Sequence, residues 1–158
     1  MKARLILFIC LFYITNIFSQ NIATYNTIYN EKIYKAYYNK SICAPAFVIY
    51  KLYKGGGTCS REKMEFKELP NVKHFMYSRS GYDKGHLVNA EDFAYDSKLE
   101  CLTFYYINCV PQTVKLNRGI WKRFETEIRK ISQKDSLLIM CGGCDWQNNI
   151  PQKCFKVV

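Results

Sequence analysis

The sequence predicts a single mixed α+β domain, and three observations carry that prediction. The chain has 158 residues, room for one domain and little more. Hydrophobic residues make up 49% and charged residues 23%, the balance of a chain that buries a core rather than one that stays disordered. The apolar patterns then run in the order strand, loop, strand, helix, strand, which is the alternation of neither an all-helical nor an all-strand fold. No apolar run is long enough, or repeated enough, for a polytopic membrane protein.

Residues 1–20 read as a secretory signal peptide. Lys2 and Arg4 give a positive start, Leu5 to Ile14 an apolar stretch, and Thr15 to Gln20 a polar exit. The single domain is then residues 21–158, secreted or periplasmic, with no stable membrane association once the signal is cleaved. The whole chain carries a formal +10, and loss of Lys2 and Arg4 leaves +8. A surface that basic favours polyanions, of which nucleic acid, anionic lipid and acidic glycans are the choices. No amphipathic helix with a basic face and a broad Trp/Phe/Leu face is present, which weakens the lipid reading.

The tyrosine-rich stretch 21–42 reads as cover for a core edge. Ala46 to Tyr53, β-branched and aromatic, is a strand. Lys54-Gly55-Gly56-Gly57-Thr58 follows it as a turn, and lacks the Gly-Lys-Ser/Thr of a phosphate-cradling loop. Residues 61–80 read as an irregular polar loop. Leu102 to Cys109 is a second strand, ended by Pro111. A helix opens at Asn117, with Ile120, Phe124, Ile128 and Ile131 as its buried stripe. Ser136 to Cys141 is a third strand, ended by Gly142 and Gly143.

Eight cysteines point to an oxidising compartment. Cys10 leaves with the signal. The seven that remain are read as a source of structural disulfides, with at least one left over. Cys141-Gly-Gly-Cys144 has zinc-ligand spacing, but a lone CxxC is weak support for a metal.

The chemistry concentrates in two places. Asn117, Trp121, Glu125 and Arg129 are each four apart, so they form one slowly drifting helical stripe. On spacing alone this is a solvated face with a Glu–Arg ion pair. The second place is Ser80-Gly81-Tyr82-Asp83-Lys84-Gly85-His86-Leu87. It holds one of only two histidines, beside an acid and a base. A neutral imidazole can take a proton from water near pH 7, and an adjoining carboxylate could hold its tautomer. An unperturbed imidazole gains its proton below about pH 6.5, so activity is expected to fall there. His74, in Val72-Lys73-His74-Phe75, reads as structural.

The segment Ser80–Leu87 resembles the Asp-Arg-Gly-His signature of the DNA/RNA non-specific endonucleases, the ββα-metal or His-Me finger nucleases. The likeness continues through Asn89-Ala90-Glu91-Asp92, Thr103-Phe104, Asn108, Pro111-Gln112, Leu116 to Trp121, Glu125, Arg129 and Met140-Cys141-Gly142-Gly143. It covers the chain from about Phe47 to Val158. The resemblance implies an α+β fold in which a mixed or antiparallel sheet carries the ββα-metal motif. It implies a Mg²⁺-dependent endonuclease, with Mn²⁺ as another possible cation, cleaving DNA and RNA to leave 5′-phosphate ends. His86 would be the general base. Asn117 would be the direct ligand of one Mg²⁺, and Glu125 would hold water bound to it. Arg129 would meet developing phosphate charge, and Arg61 stands for the family's upstream arginine.

This division of labour is chemically sound. A phosphodiester is anionic and resists attack, so its hydrolysis needs a base, a cation and further positive charge. Mg²⁺ keeps several waters and needs few protein ligands. Two departures stand out. Lys84 occupies the place of the signature's arginine, which keeps the charge but loses the bidentate fork. Cys154 to Val158 looks like an internal strand of the family domain, so the chain reads as C-terminally short. The rival reading is a basic, catalytically impaired protein of this descent that holds nucleic acid without cutting it.

Overall fold

The computed structural model describes residues 25–158. The signal-peptide reading of residues 1–20 falls outside the described residues. Among the described residues no helix is long and apolar enough to cross a membrane.

The fold is α+β, as the sequence predicts. A five-stranded antiparallel sheet is built from β1 (Thr27–Asn30), β2 (Tyr34–Asn39), β3 (Ala44–Leu52), β6 (Leu137–Gln147) and β7 (Ile150–Val157), in the order β1-β2-β3-β6-β7. A separate antiparallel pair joins β4 (Tyr82–His86) to β5 (Cys109–Thr113). Between them lies a short helix α1 (Ser97–Cys101), and after them α2 (Lys122–Ile131). The unit β4, β5 and α2 is the ββα arrangement that the resemblance implies.

The central strand β3 alternates so that Val48, Tyr50 and Leu52 enter the core with Ala36, Tyr38, Leu87, Val110, Ile128 and Ile139. The tyrosines of the 21–42 stretch do cover that core: Tyr34 and Tyr38 are buried on β2, in strands the sequence reading left unassigned. Asn108 ties the two sheets' surroundings together from inside. Its amide accepts from Val88 N at 2.9 Å and donates to the carbonyls of Val88 and Thr103. A fully buried amide keeps its place only with such partners.

Several boundaries differ from the sequence expectation. Leu102 to Cys109 is not a strand: it is the end of α1 and a single tight turn at Tyr106–Asn108, and the strand begins at Cys109. Pro111 does not end that strand but lies within it, opposite Lys84, which a two-stranded ribbon tolerates because one side needs no ladder donor. The third strand runs on through Gly142 and Gly143, which pair with Phe155 and Cys154 of β7. A Cβ on Gly142 would lie 2.2 Å from the Ala46 carbonyl oxygen, so these glycines permit close strand approach rather than a turn.

The apolar stripe of the helix is also revised. Ile128 is buried, but Ile120, Phe124 and Ile131 are exposed. The helix start is a wide turn over Leu116–Trp121, with non-helical backbone at Gly119. α2 then turns Trp121, Glu125, Ile128 and Ser132 inward. The non-helical backbone at Gly119 is a kink that separates this entry from α2.

The expected disulfides are absent from the structure: all seven described cysteines are unbridged. Cys109 and Cys141 act as small buried hydrophobes, with their thiols against the Tyr106 and Leu87 carbonyls and pushed up to about 12 by burial. Cys141 and Cys144 stand three apart on one strand, so they point to opposite faces and do not converge on one ion.

Candidate active site

His86 is the last residue of β4, and its setting follows from its neighbours in the signature. Gly81 takes a positive φ of 80° in the turn that leads into the strand. Gly85 lies flat against β5, where a Cβ would sit 2.4 Å from the Gln112 side chain. The Trp121 indole donates to the His86 carbonyl at 3.2 Å and fixes the strand end to α2. The imidazole packs between Phe66 and Phe104, each ring centroid 4.9 Å away. Its Nε2 is buried and has no hydrogen-bond partner among the described residues. Burial, followed by the positive charges of Arg61 and Lys156, pushes the imidazole down to about 3. The ring is therefore neutral well below pH 6.5.

Among the described residues no carboxylate holds the imidazole's tautomer. Asp83 turns the other way, toward the helix entry. It accepts from Arg118 Nε and Nη2, both at 2.8 Å, and from Asn117 Nδ2 at 3.0 Å. Those hydrogen bonds, Arg118 first, hold its carboxyl below the usual range. With its NH₂ group engaged by Asp83, the Asn117 amide is fixed in orientation and its oxygen remains to serve as a ligand.

Glu125 is buried on α2, and its pairing is not the Glu–Arg pair that spacing offers. Its Oε1 meets Lys156 Nζ at 3.2 Å. Burial pushes its carboxyl up, and Lys156 opposes that shift. Arg129 instead reaches back to the acidic turn after β4. Its Nε lies 2.9 Å from Asp92 Oδ1 and its Nη1 3.0 Å from Glu91 Oε2. Tyr50 donates to the other Asp92 oxygen at 3.1 Å. Glu91 also meets Arg61 at 3.5 Å. Arg129 is thus braced by two carboxylates through Nη1 and Nε, while its buried Nη2 has no partner among the described residues.

One polar cleft of about 270 Å³ brings together His86, Asn117, Glu125 and Arg61, with Asn89, Glu91, Arg118 and Lys122. Lys84 and Arg129 do not line it. Lys84 is exposed beside it, its ammonium 5.0 Å and 5.3 Å from the ring centroids of Phe66 and Tyr106. His74 stacks on Tyr106 at 3.6 Å and bonds Glu68, so it supports this aromatic cluster, as a structural histidine would. The sequence reading places Asn89 and Arg118 in the resemblance but gives them no role at the site, and it missed Lys122 and Lys156. For Lys156 the pattern pointed the wrong way: alternation with Phe155 and Val157 on a strand would turn the apolar pair inward and the lysine outward.

The donor set fits a hard divalent cation of the Mg²⁺ type. An oriented amide oxygen and a carboxylate border a cleft that also holds a buried, unpartnered imidazole nitrogen. Among the described residues no cluster of three His, Cys, Asp or Glu could hold a metal, so any ion here has few protein ligands. Mg²⁺ accepts that arrangement because it dehydrates reluctantly.

The chain is similar to several known nucleases. A curated relative, the human mitochondrial nuclease EXOG, is 30% identical over 105 residues, which is 61% of this chain and 28% of that protein. Human mitochondrial endonuclease G is 29% identical over 93 residues, 55% of this chain and 31% of that protein. A nuclease of Nostoc sp. is 38% identical over 81 residues, 48% of this chain and 30% of its own length. This chain therefore spans less than a third of these relatives. Among solved structures, the EndoG/EndoGI complex, described as showing the mechanism of EndoG inhibition, superimposes with a TM-score of 0.66 at 25% identity. That match covers 73% of this chain and 52% of the other. The family model for the DNA/RNA non-specific endonucleases matches residues 14–158, nearly the whole chain, which therefore belongs to that family.

Proposed function

We propose that this chain is a Mg²⁺-dependent endonuclease that hydrolyses phosphodiester bonds in DNA and RNA with little sequence preference. The observation that carries the reading is the His86 imidazole, whose buried Nε2 has no partner and whose ring shares a cleft with Asn117 and Glu125. A neutral imidazole so placed accepts a proton from an attacking water. Asn117, oriented by Asp83, would hold the cation and Glu125 a water bound to it; the cation when bound supplies positive charge to the anionic phosphodiester. Arg61, Arg118 and Lys122 line the same cleft and offer positive charge to phosphate. Lys84 places a further ammonium at its edge. Contacts of this kind read backbone charge rather than base edges, which supports tolerance of both sequence and sugar. The basic, apolar start of the sequence supports export of the protein; several relatives carry the word mitochondrial in their names.

Nicking of supercoiled plasmid and cleavage of RNA, each with Mg²⁺ and with EDTA, test the reading. Cutting that needs the cation supports it. Tight, salt-sensitive binding of both polymers with no cutting in Mg²⁺ or Mn²⁺ would replace it with the binding-protein alternative.

A further inference from the structure

We propose that Lys156 is a positioning residue, the internal counter-ion that keeps Glu125 from binding a divalent cation directly. The inference rests on the reading of the cleft as a metal site.

Lys156 stands on β7, paired with Cys141 of β6. Its side chain is only 1% exposed. Its Nζ lies 3.2 Å from the Leu87 carbonyl oxygen, 3.2 Å from Glu125 Oε1 and 4.7 Å from the centroid of the Trp121 ring. A buried ammonium is tolerated only when it is paired and hydrogen-bonded, and this one has a carboxylate, a carbonyl and an aromatic face. It does not line the cleft, so it is not placed to touch a phosphate. Its action passes through Glu125.

The other carboxylates around the cleft are neutralised in the same way. Asp83 is held by Arg118, and Glu91 by Arg129 and Arg61. Glu125 would be the exception without Lys156. An unpaired carboxylate beside the Asn117 oxygen would draw a dication into direct contact and hold it before any nucleic acid arrived. With Lys156 in place, the protein supplies little net negative charge, and the phosphate of the substrate supplies what is missing. The metal is then held loosely by the free protein and firmly only with substrate.

Titration calorimetry with Mn²⁺, without nucleic acid and in a His86→Ala background, reads this directly. Lys156→Gln keeps hydrogen-bond donors and loses the charge. Lys156→Met is the second uncharged variant, used if the first does not fold. Removing a unit positive charge a few ångströms from a dication is expected to tighten Mn²⁺ binding by roughly tenfold. Lys156→Arg keeps the charge and is expected to bind Mn²⁺ within about twofold of the background. Unchanged affinity in a folded, uncharged variant would overturn the proposal, as would a tenfold change in Lys156→Arg. Failure of the underlying reading looks different: the unmutated chain would cut DNA equally well in Mg²⁺ and in EDTA, whatever Lys156 does.

Discussion

Asp83 accepts a hydrogen bond from Asn117 Nδ2 at 3.0 Å, across 34 positions of sequence, and so decides which end of the Asn117 amide faces the cleft. Without that bond the amide is free to flip, and half of its orientations present NH₂ to a cation. Partners of this kind, one shell out from a metal, typically change affinity or activity by roughly 10- to 100-fold. Asp83→Ala is therefore expected to raise the Mg²⁺ concentration needed for half-maximal cutting by at least about tenfold. A Mg²⁺ titration of plasmid nicking measures it, and an unchanged requirement would remove Asp83 from this role.

Asn117→Ala loses the oxygen itself. Its rate in low Mg²⁺ is expected to fall, and part of the loss to return at high Mg²⁺, since Glu125 remains at the cleft. Initial rates across a Mg²⁺ series would show this recovery. A loss that no Mg²⁺ concentration relieves would place Asn117 outside the metal site.

Two glycines, Gly85 within β4 and Gly81 just before it, predict stability effects of different origin. Gly85→Ala drives a Cβ to 2.4 Å from the buried Gln112 side chain, and overpacking of this kind costs about 1–3 kcal/mol. Urea unfolding is expected to show a lower midpoint for Gly85→Ala. Gly81→Ala meets no atom within 4 Å but must hold a φ of 80°, so it is expected to lose stability through backbone strain alone. A Gly85→Ala midpoint at or above the unmutated value would show that β4 and β5 are not packed as described.

The pH dependence of stability follows from His86. Its pKa is about 3 in the folded chain and 6.5 when unperturbed. Between those values the unfolded chain binds a proton that the folded chain does not. This contribution is fully present above pH 6.5 and is lost progressively as pH falls toward 3. Urea midpoints at pH 7, 5.5 and 4 are expected to fall more steeply for the unmutated chain than for His86→Ala. Parallel curves would mean that His86 is not buried as a neutral ring.

Much of this was legible in the residues. The strand at Ala46 to Tyr53 lies close to where the sequence places it, and His86, Asn117 and Glu125 do meet in one cleft, although the helix read from Asn117 is broken at Gly119 and begins at Lys122. Disagreement arises where the site overrides local preference. Ile120, Phe124 and Ile131 are exposed, yet Trp121, Glu125 and Ile128 are buried, because Trp121 is drawn in by the His86 carbonyl and Glu125 by Lys156. Arg129 lies one turn from Glu125, but two acids from the turn after β4 capture it. Lys156 is 31 positions from Glu125, and no pattern in a sequence declares a partner that a distant strand brings in.

The central claim is that His86 serves as the base in a cleft whose other residues bind cation and phosphate. Single-turnover cleavage of a DNA duplex by the unmutated chain and by His86→Ala, in saturating Mg²⁺, tests it most directly. Loss of the base is expected to lower the rate by roughly 10²–10⁴-fold. DNA affinity, measured in Ca²⁺ or without metal, is expected to stay within about threefold. A His86→Ala protein that cuts at the unmutated rate would contradict the account and put the chemistry elsewhere in the molecule.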